Sequence, residues 1–143
     1  MPFLHWLQET GVAITIRDSA LLLGSLSAIH LVGFTLLMGG VLVSTLRRVG
    51  LFLTEYDSVT VTRPATRGVI VGLAISVVTG LLLFAPRAAE ASLNGTFQIK
   101  MLLLVAAALF QFTFNRGAGR AAATAFLLWA GVAVAGCAFI LLE

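Results

Sequence analysis

Between Ser19 and Leu46 the chain reads SALLLGSLSAIHLVGFTLLMGGVLVSTL, with no acid or base and one ionisable side chain, His30, near its middle. A helix rises ~1.5 Å per residue, so this run can cross a ~30 Å hydrocarbon core with residues to spare. An ionisable residue at that depth faces a bundle interior or a cavity, which makes it a functional-site candidate. The run therefore points to a membrane-embedded helical fold and singles out His30 within it.

The rest of the chain agrees with that reading. Only 10% of its 143 residues are charged, against about 25% in soluble domains. A chain so poor in charge cannot cover itself with polar surface in water. The expected fold is an all-α integral membrane bundle of four transmembrane helices, a single domain over residues 1–143. An amphipathic helix over residues 2–16 is expected to lie at the interface, with Trp6 as its anchor and Gln8 and Glu9 turned away from the apolar face. The four spans are expected at 19–46, 67–84, 97–115 and 121–142. Polar loops with Pro64, Pro86 and Asn94-Gly95 separate them. β-Barrels are excluded, because the apolar segments are continuous runs and not alternating strands.

Charge gives the orientation. Arg47, Arg48, Arg63, Arg67, Arg116 and Arg120 fall on one side. Arg17, Arg87 and Lys100 fall on the other, diluted by Glu9, Asp18, Glu90 and Glu143. The positive-inside rule places the arginine-rich loops in the cytoplasm and both termini outside. The basic balance is thus read as topology, with the lipid bilayer as partner and no nucleic acid. Cys137 is the only cysteine and lies in an apolar run, so no disulfide framework or haem-attachment motif exists.

The chemistry rests on few residues. No catalytic residue is assigned: the chain has no nucleophile–base pair and no carboxylate dyad, and it reads as more of a subunit than an enzyme by itself. The absence of an acid inside any span argues against a proton-driven pump. Scattered Met and His argue against a copper permease. His30 has two readings. It is either a packed imidazole satisfied by Ser27, Ser76 or Thr79, or an axial ligand to a metal, a b-type haem. A second axial ligand would have to come from His5, Met38 or Met101, or the haem would be five-coordinate.

Glycines give the same pair of alternatives. Gly68, Gly72, Ser76 and Gly80 form a small-residue ladder on the second span, and Gly33 and Gly40 share the face of His30 on the first. These residues either let backbones approach or leave room for a flat cofactor beside His30. One helix pair can be closed and the next splayed. Lys100 either snorkels or, with Arg17 on the same side, holds anionic groups such as haem propionates. Cofactor-binding candidates are therefore His30, Gly33, Lys100 and Arg17.

The segments IRDSALLLGSLSAIHLVGFTLLMGG, LRRVG, TGLLLF and FQIKMLLLVAAALFQFTFN resemble a family of small bacterial four-helix membrane proteins of uncharacterised function. That family is distantly similar to copper-resistance D-type and related membrane cytochrome-like proteins. The best matches are His30 with Gly33, the Leu46-Arg47 end of the first span with Gly50, and Lys100. Thr45 stands where the pattern has an acid, and Asn115 stands where a histidine often closes the third span. The resemblance implies an inner-membrane, redox-linked protein. Two functions follow: a haem-binding or redox-linked subunit of a membrane electron-transfer complex, or a cofactor-free accessory subunit anchoring a larger complex. The partners are other membrane subunits or a second copy.

Overall fold

A computed structural model describes residues 2–114 and 119–141, with side chains described over 3–111, 113 and 121–136. The expectations placed on the side chains of Asn115, Arg116, Arg120, Cys137 and Glu143 lie outside that set. The described chain is all-helical: α1 (Pro2–Gln8), α2 (Gly11–Asp18), α3 (Ala20–Val49), α4 (Ser58–Phe84), a 3-10 turn (Ala85–Arg87), α5 (Ala88–Leu93), α6 (Gly95–Phe114) and α7 (Gly119–Leu141).

The helix limits differ from the sequence expectation where local capping overrides composition. The N-terminal segment is two helices, because Thr10 adopts an extended conformation and its side chain accepts from the Ala13 N–H, starting α2 afresh. Gln8 does not turn away as expected. Its Nε2 donates to the Pro86 carbonyl, 3.4 Å away, while Phe3 and Trp6 stack on each other with their surfaces exposed. Ser19 caps α3 by accepting from the Leu22 N–H. Gly50 ends it in the left-handed region (φ 79°), where glycine carries no Cβ penalty. α4 begins at Ser58 and not near Arg67, so Pro64 lies inside a helix. The stretch after Pro86, expected as a loop, is the helical α5; Asn94 Oδ1 then accepts from the Thr96 N–H to open α6.

Two elements are long and apolar enough to cross a membrane: α3, and the continuous helical run from Ser58 to Leu93. The apolar stretches Gly95–Gln111 and Ala121–Gly136 are shorter.

The helices pack as a row. α3 lies against α4 on one side and α7 on the other, and α6 packs on α7. The core joins Leu37 and Val41 of α3, Val69 of α4, Ala107 of α6, and Trp129 and Val132 of α7. Every buried residue of α3 lies at or beyond Gly33, and the buried residues of α6 among those described are Ala107 and Gln111. The tight core thus occupies the half of the bundle near Gly50. At the other end, α1 packs on the 3-10 turn and α5, and α2 packs on the 3-10 turn and α3, making a helical cap. Outward, the long helices present apolar side chains: Leu21, Val32, Leu81, Leu102, Leu127 and Val134 are each more than half exposed.

The α3–α4 pair is closed by glycines. A Cβ at Gly72 would stand 2.5 Å from the Gly33 carbonyl oxygen and 2.5 Å from the Leu37 nitrogen. A Cβ at Gly40 would stand 2.6 Å from the Ala65 carbonyl oxygen. These are backbone atoms and cannot swing aside, so close helix approach is the role of Gly33, Gly40 and Gly72. Gly68 is different, with Leu36 no nearer than 3.8 Å. The two alanine variants should therefore separate. Gly72→Ala should lower stability by about 1–3 kcal/mol or block folding, as overpacking does, while Gly68→Ala should leave the melting profile in detergent nearly unchanged. Equal melting of both variants would contradict the closed pair.

Candidate functional site

His30 lies on α3 about 15 Å below the helix start at Ala20 by helical rise, on the cap side of the tight core. Its position over α4 is fixed by the glycine contact one turn below it. A Cβ at Gly80 would stand 3.2 Å from His30 Cε1, so Gly80 leaves the space that the imidazole edge occupies. Of the three hydroxyls expected as partners, Thr79 takes the role: His30 Nδ1 and Thr79 Oγ1 are 2.9 Å apart. Ser27 bonds back to the Leu23 carbonyl of its own helix. Ser76 Oγ is buried with no hydrogen-bond partner.

The direction of the His30 bond follows from the next link. Thr79 Oγ1 is 2.7 Å from the Ile75 carbonyl oxygen. A carbonyl oxygen only accepts, so the single threonine hydrogen is committed there. Thr79 Oγ1 must then accept from His30, and the proton resides on Nδ1. Nε2 is then the unprotonated ring nitrogen. In metal-ligating histidines the non-ligating ring nitrogen characteristically donates a hydrogen bond of this kind, which fixes tautomer and ring plane.

Lys100 lies on α6, about 8 Å below its start at Gly95 by helical rise. The lysine tip lies along α7: a Cβ at Gly136 would stand 3.7 Å from both Lys100 Cε and Nζ. Gly136 was not singled out in the sequence, and its only signal is a small residue at the matching height of the last helix. Two groups thus lie above the tight core: His30 with Thr79 and Gly80 across α3 and α4, and Lys100 with Gly136 across α6 and α7.

The other candidates lie elsewhere. Gly33 faces Ile75 and Ser76, which take up the room its missing side chain makes. Arg17 ends α2, exposed, with its Nε 3.5 Å from Asp18 Oδ1, and no described contact joins it to His30 or Lys100. His5 is exposed on α1. Met38 packs against the core cluster, and Met101 is exposed on α6. Among the described residues no three His, Cys, Asp or Glu side chains cluster as a metal site. Two grooves run along the α3–α4 pair, one of them beside Ile29, Ala74, Ile75, Val78 and Thr79, and His30 lines neither.

A family profile matches residues 14–141, from within α2 to the end of α7. The chain belongs to the family of unknown function DUF6644. The DUF6644 match spans His30, Thr79, Gly80, Lys100 and Gly136, and leaves α1 outside it. No curated protein and no solved structure matches the chain.

The relay has a direct spectroscopic consequence. Nitrogen-15 NMR of cofactor-free protein in detergent should find His30 neutral, with a pyrrole-type Nδ1 and a pyridine-type Nε2. Thr79→Val should destabilise the fold by about 1–3 kcal/mol, the cost of an unsatisfied buried donor, and Thr79→Ser should restore the Nδ1 signal. An Nε2-protonated ring in the unmodified chain would refute the relay.

Proposed function

We propose that this DUF6644 chain is a four-span subunit of the bacterial inner membrane that holds a b-type haem through His30. In this reading α3, α4, α6 and α7 cross the bilayer, the α1–α2 cap lies at the outer interface, and both termini are outside. The exposed apolar side chains of the long helices support the bilayer as their solvent, since a water-soluble monomer seldom shows so much contiguous apolar surface. Arg47, Arg48, Arg63 and Arg67 all lie at the end of the α3–α4 pair away from the cap, which is the end the positive-inside rule assigns to the cytoplasm.

The observation that carries the cofactor reading is the Thr79 relay. It leaves His30 Nε2 as a ready ligand in the half of the bundle where α3 and α6 bury no side chain. Lys100, in the cap half of α6, would supply a cation for an anionic group such as a propionate. The described residues supply one axial ligand and no second, which fits a five-coordinate haem or one whose sixth ligand comes from another subunit. Bound haem would supply one-electron transfer. The chain's own work is to hold Nε2 deprotonated, fix the imidazole plane against Gly80, and neutralise charge with Lys100.

A second reading rests on the same bond. Nδ1 already has its partner in Thr79, and the pair is closed by backbone contacts at Gly33 and Gly72. His30 then serves as a helix clasp in a cofactor-free subunit that stabilises a larger complex.

A reduced-minus-oxidised absorption spectrum separates the two. Protein from haem-replete cells should show a b-type α-band that His30→Ala abolishes and His5→Ala retains. Lys100→Ala should weaken haem retention without removing the band. A stable, colourless preparation would establish the clasp reading instead. Orientation has its own test: reporter fusions after Glu143 should be active on the outer side of the membrane, and cytoplasmic activity there would reverse the assignment.

A further inference from the structure

Along the face of the α3–α4 pair runs a groove of about 910 Å³. Leu31, Val32, Leu36 and Gly39 of α3 form one wall, and Pro64 and Gly68 of α4 lie on the other. Leu53 and Tyr56 of the α3–α4 connection close one end. From Leu31 to its last α3 residue, Val43, the groove follows the helix for ~18 Å by helical rise. That is close to the depth of one leaflet, half of a ~30 Å hydrocarbon core.

The closed end is basic. Arg47 Nη2 donates to the Tyr56 carbonyl, 2.8 Å away, and so holds the connection over the groove. Arg47 Nε is buried with no hydrogen-bond partner. Arg63 and Arg67 stand exposed on the turns of α4 that carry Pro64 and Gly68. Acids are few there: Glu55 and Asp57 belong to the connection itself.

We propose that this groove is the seat of one anionic phospholipid of the inner leaflet. An acyl chain lies between α3 and α4, and the phosphate is held by Arg47 with Arg63 and Arg67 around it. The inference rests on the membrane-spanning reading above and is independent of haem. Length and charge select this occupant together: the apolar slot is one leaflet deep, and Arg47, bonded to Tyr56 at its end, and Arg63 and Arg67, next to the lining residues Pro64 and Gly68, flank it with cations without lining it. A guanidinium also suits a phosphate better than an ammonium does, because its donors form a planar fork.

Gly39 provides a clean test. It lines the groove, and a Cβ there meets nothing within 4 Å, so Gly39→Leu fills the slot without crowding the fold. Native mass spectrometry of detergent-solubilised protein would be titrated with phosphatidylglycerol and with phosphatidylcholine of the same acyl chains. The intact chain should retain one phosphatidylglycerol in preference to phosphatidylcholine. Gly39→Leu should lower phosphatidylglycerol occupancy by about tenfold, the effect of displacing two buried methylenes. The paired Arg63→Gln, Arg67→Gln variant should erase the preference for the anionic lipid, and His30→Ala should change neither. Equal retention of both lipids, or no effect of Gly39→Leu, overturns the proposal. So does a dimer that Gly39→Leu dissociates, since a second copy would then occupy the groove. Protein that stays monodisperse without detergent or bilayer would instead refute the spanning reading itself.

Discussion

The contact between Gly33 and Gly72 is the constraint on which the rest of the structure depends. Two helix backbones meet there with no side chain between them. That meeting fixes the register of α3 on α4, and register decides which α4 side chain faces His30. One residue of slip would replace Thr79 by Thr79's neighbours, Val78 or Gly80, and leave the imidazole without a partner. A packing contact thus sets the protonation state of a ring one turn away: the hydrogen of Thr79 goes to Ile75, and the proton of His30 goes to Thr79. Small residues act here in two ways. At Gly33, Gly40 and Gly72 they bring backbones together. At Gly80 they leave room for a ring, and at Gly136 for the tip of Lys100.

The bundle is consequently uneven from end to end. Near Gly50 it is tight, with Trp129 only 1% exposed and Thr45 donating to the Ala122 carbonyl across 3.1 Å. Toward the cap the α3–α4 pair stays closed, while α3 turns apolar side chains outward and the tip of Lys100 lies along α7 at Gly136. The cap covers this end with small residues: Ala13, Ala85, Ala88 and Ala91 are all buried. Where α4 ends and α6 begins, Phe84 and Phe97 stack at 5.1 Å.

Much of this was legible in the sequence, and the reasons are particular. The apolar run expected over 19–46 is the helix α3, which runs three residues further, to Val49, before Gly50 stops it. His30 stood out because a single ionisable group in an apolar run needs an explanation. Of the three hydroxyls expected as its partners only Thr79 serves, and choosing it needs the helix register, which is set by contacts distant in sequence. The Gly68–Gly80 ladder was visible as a ladder, yet the sequence could not tell the tight rung at Gly72 from the loose one at Gly68. The start of α4 was hidden because Pro64 and the threonines around it read as loop, although Thr62 and Thr66 satisfy their hydroxyls on the preceding turn of the helix. The break at Thr10 was missed because an isolated threonine cap is a weak signal inside a short apolar segment. Arg17 was grouped with Lys100 by side of the membrane alone, and its nearest charge is its own neighbour, Asp18.

The central claim is that the Thr79 relay prepares His30 Nε2 as a ligand. Its most direct measurement is the haem content of the purified chain, assayed as the pyridine haemochrome against protein concentration. The account predicts close to one b-type haem per chain in protein from haem-replete cells, and none in His30→Ala that retains the native melting profile. Haem bound equally in both, or absent from both, would contradict it.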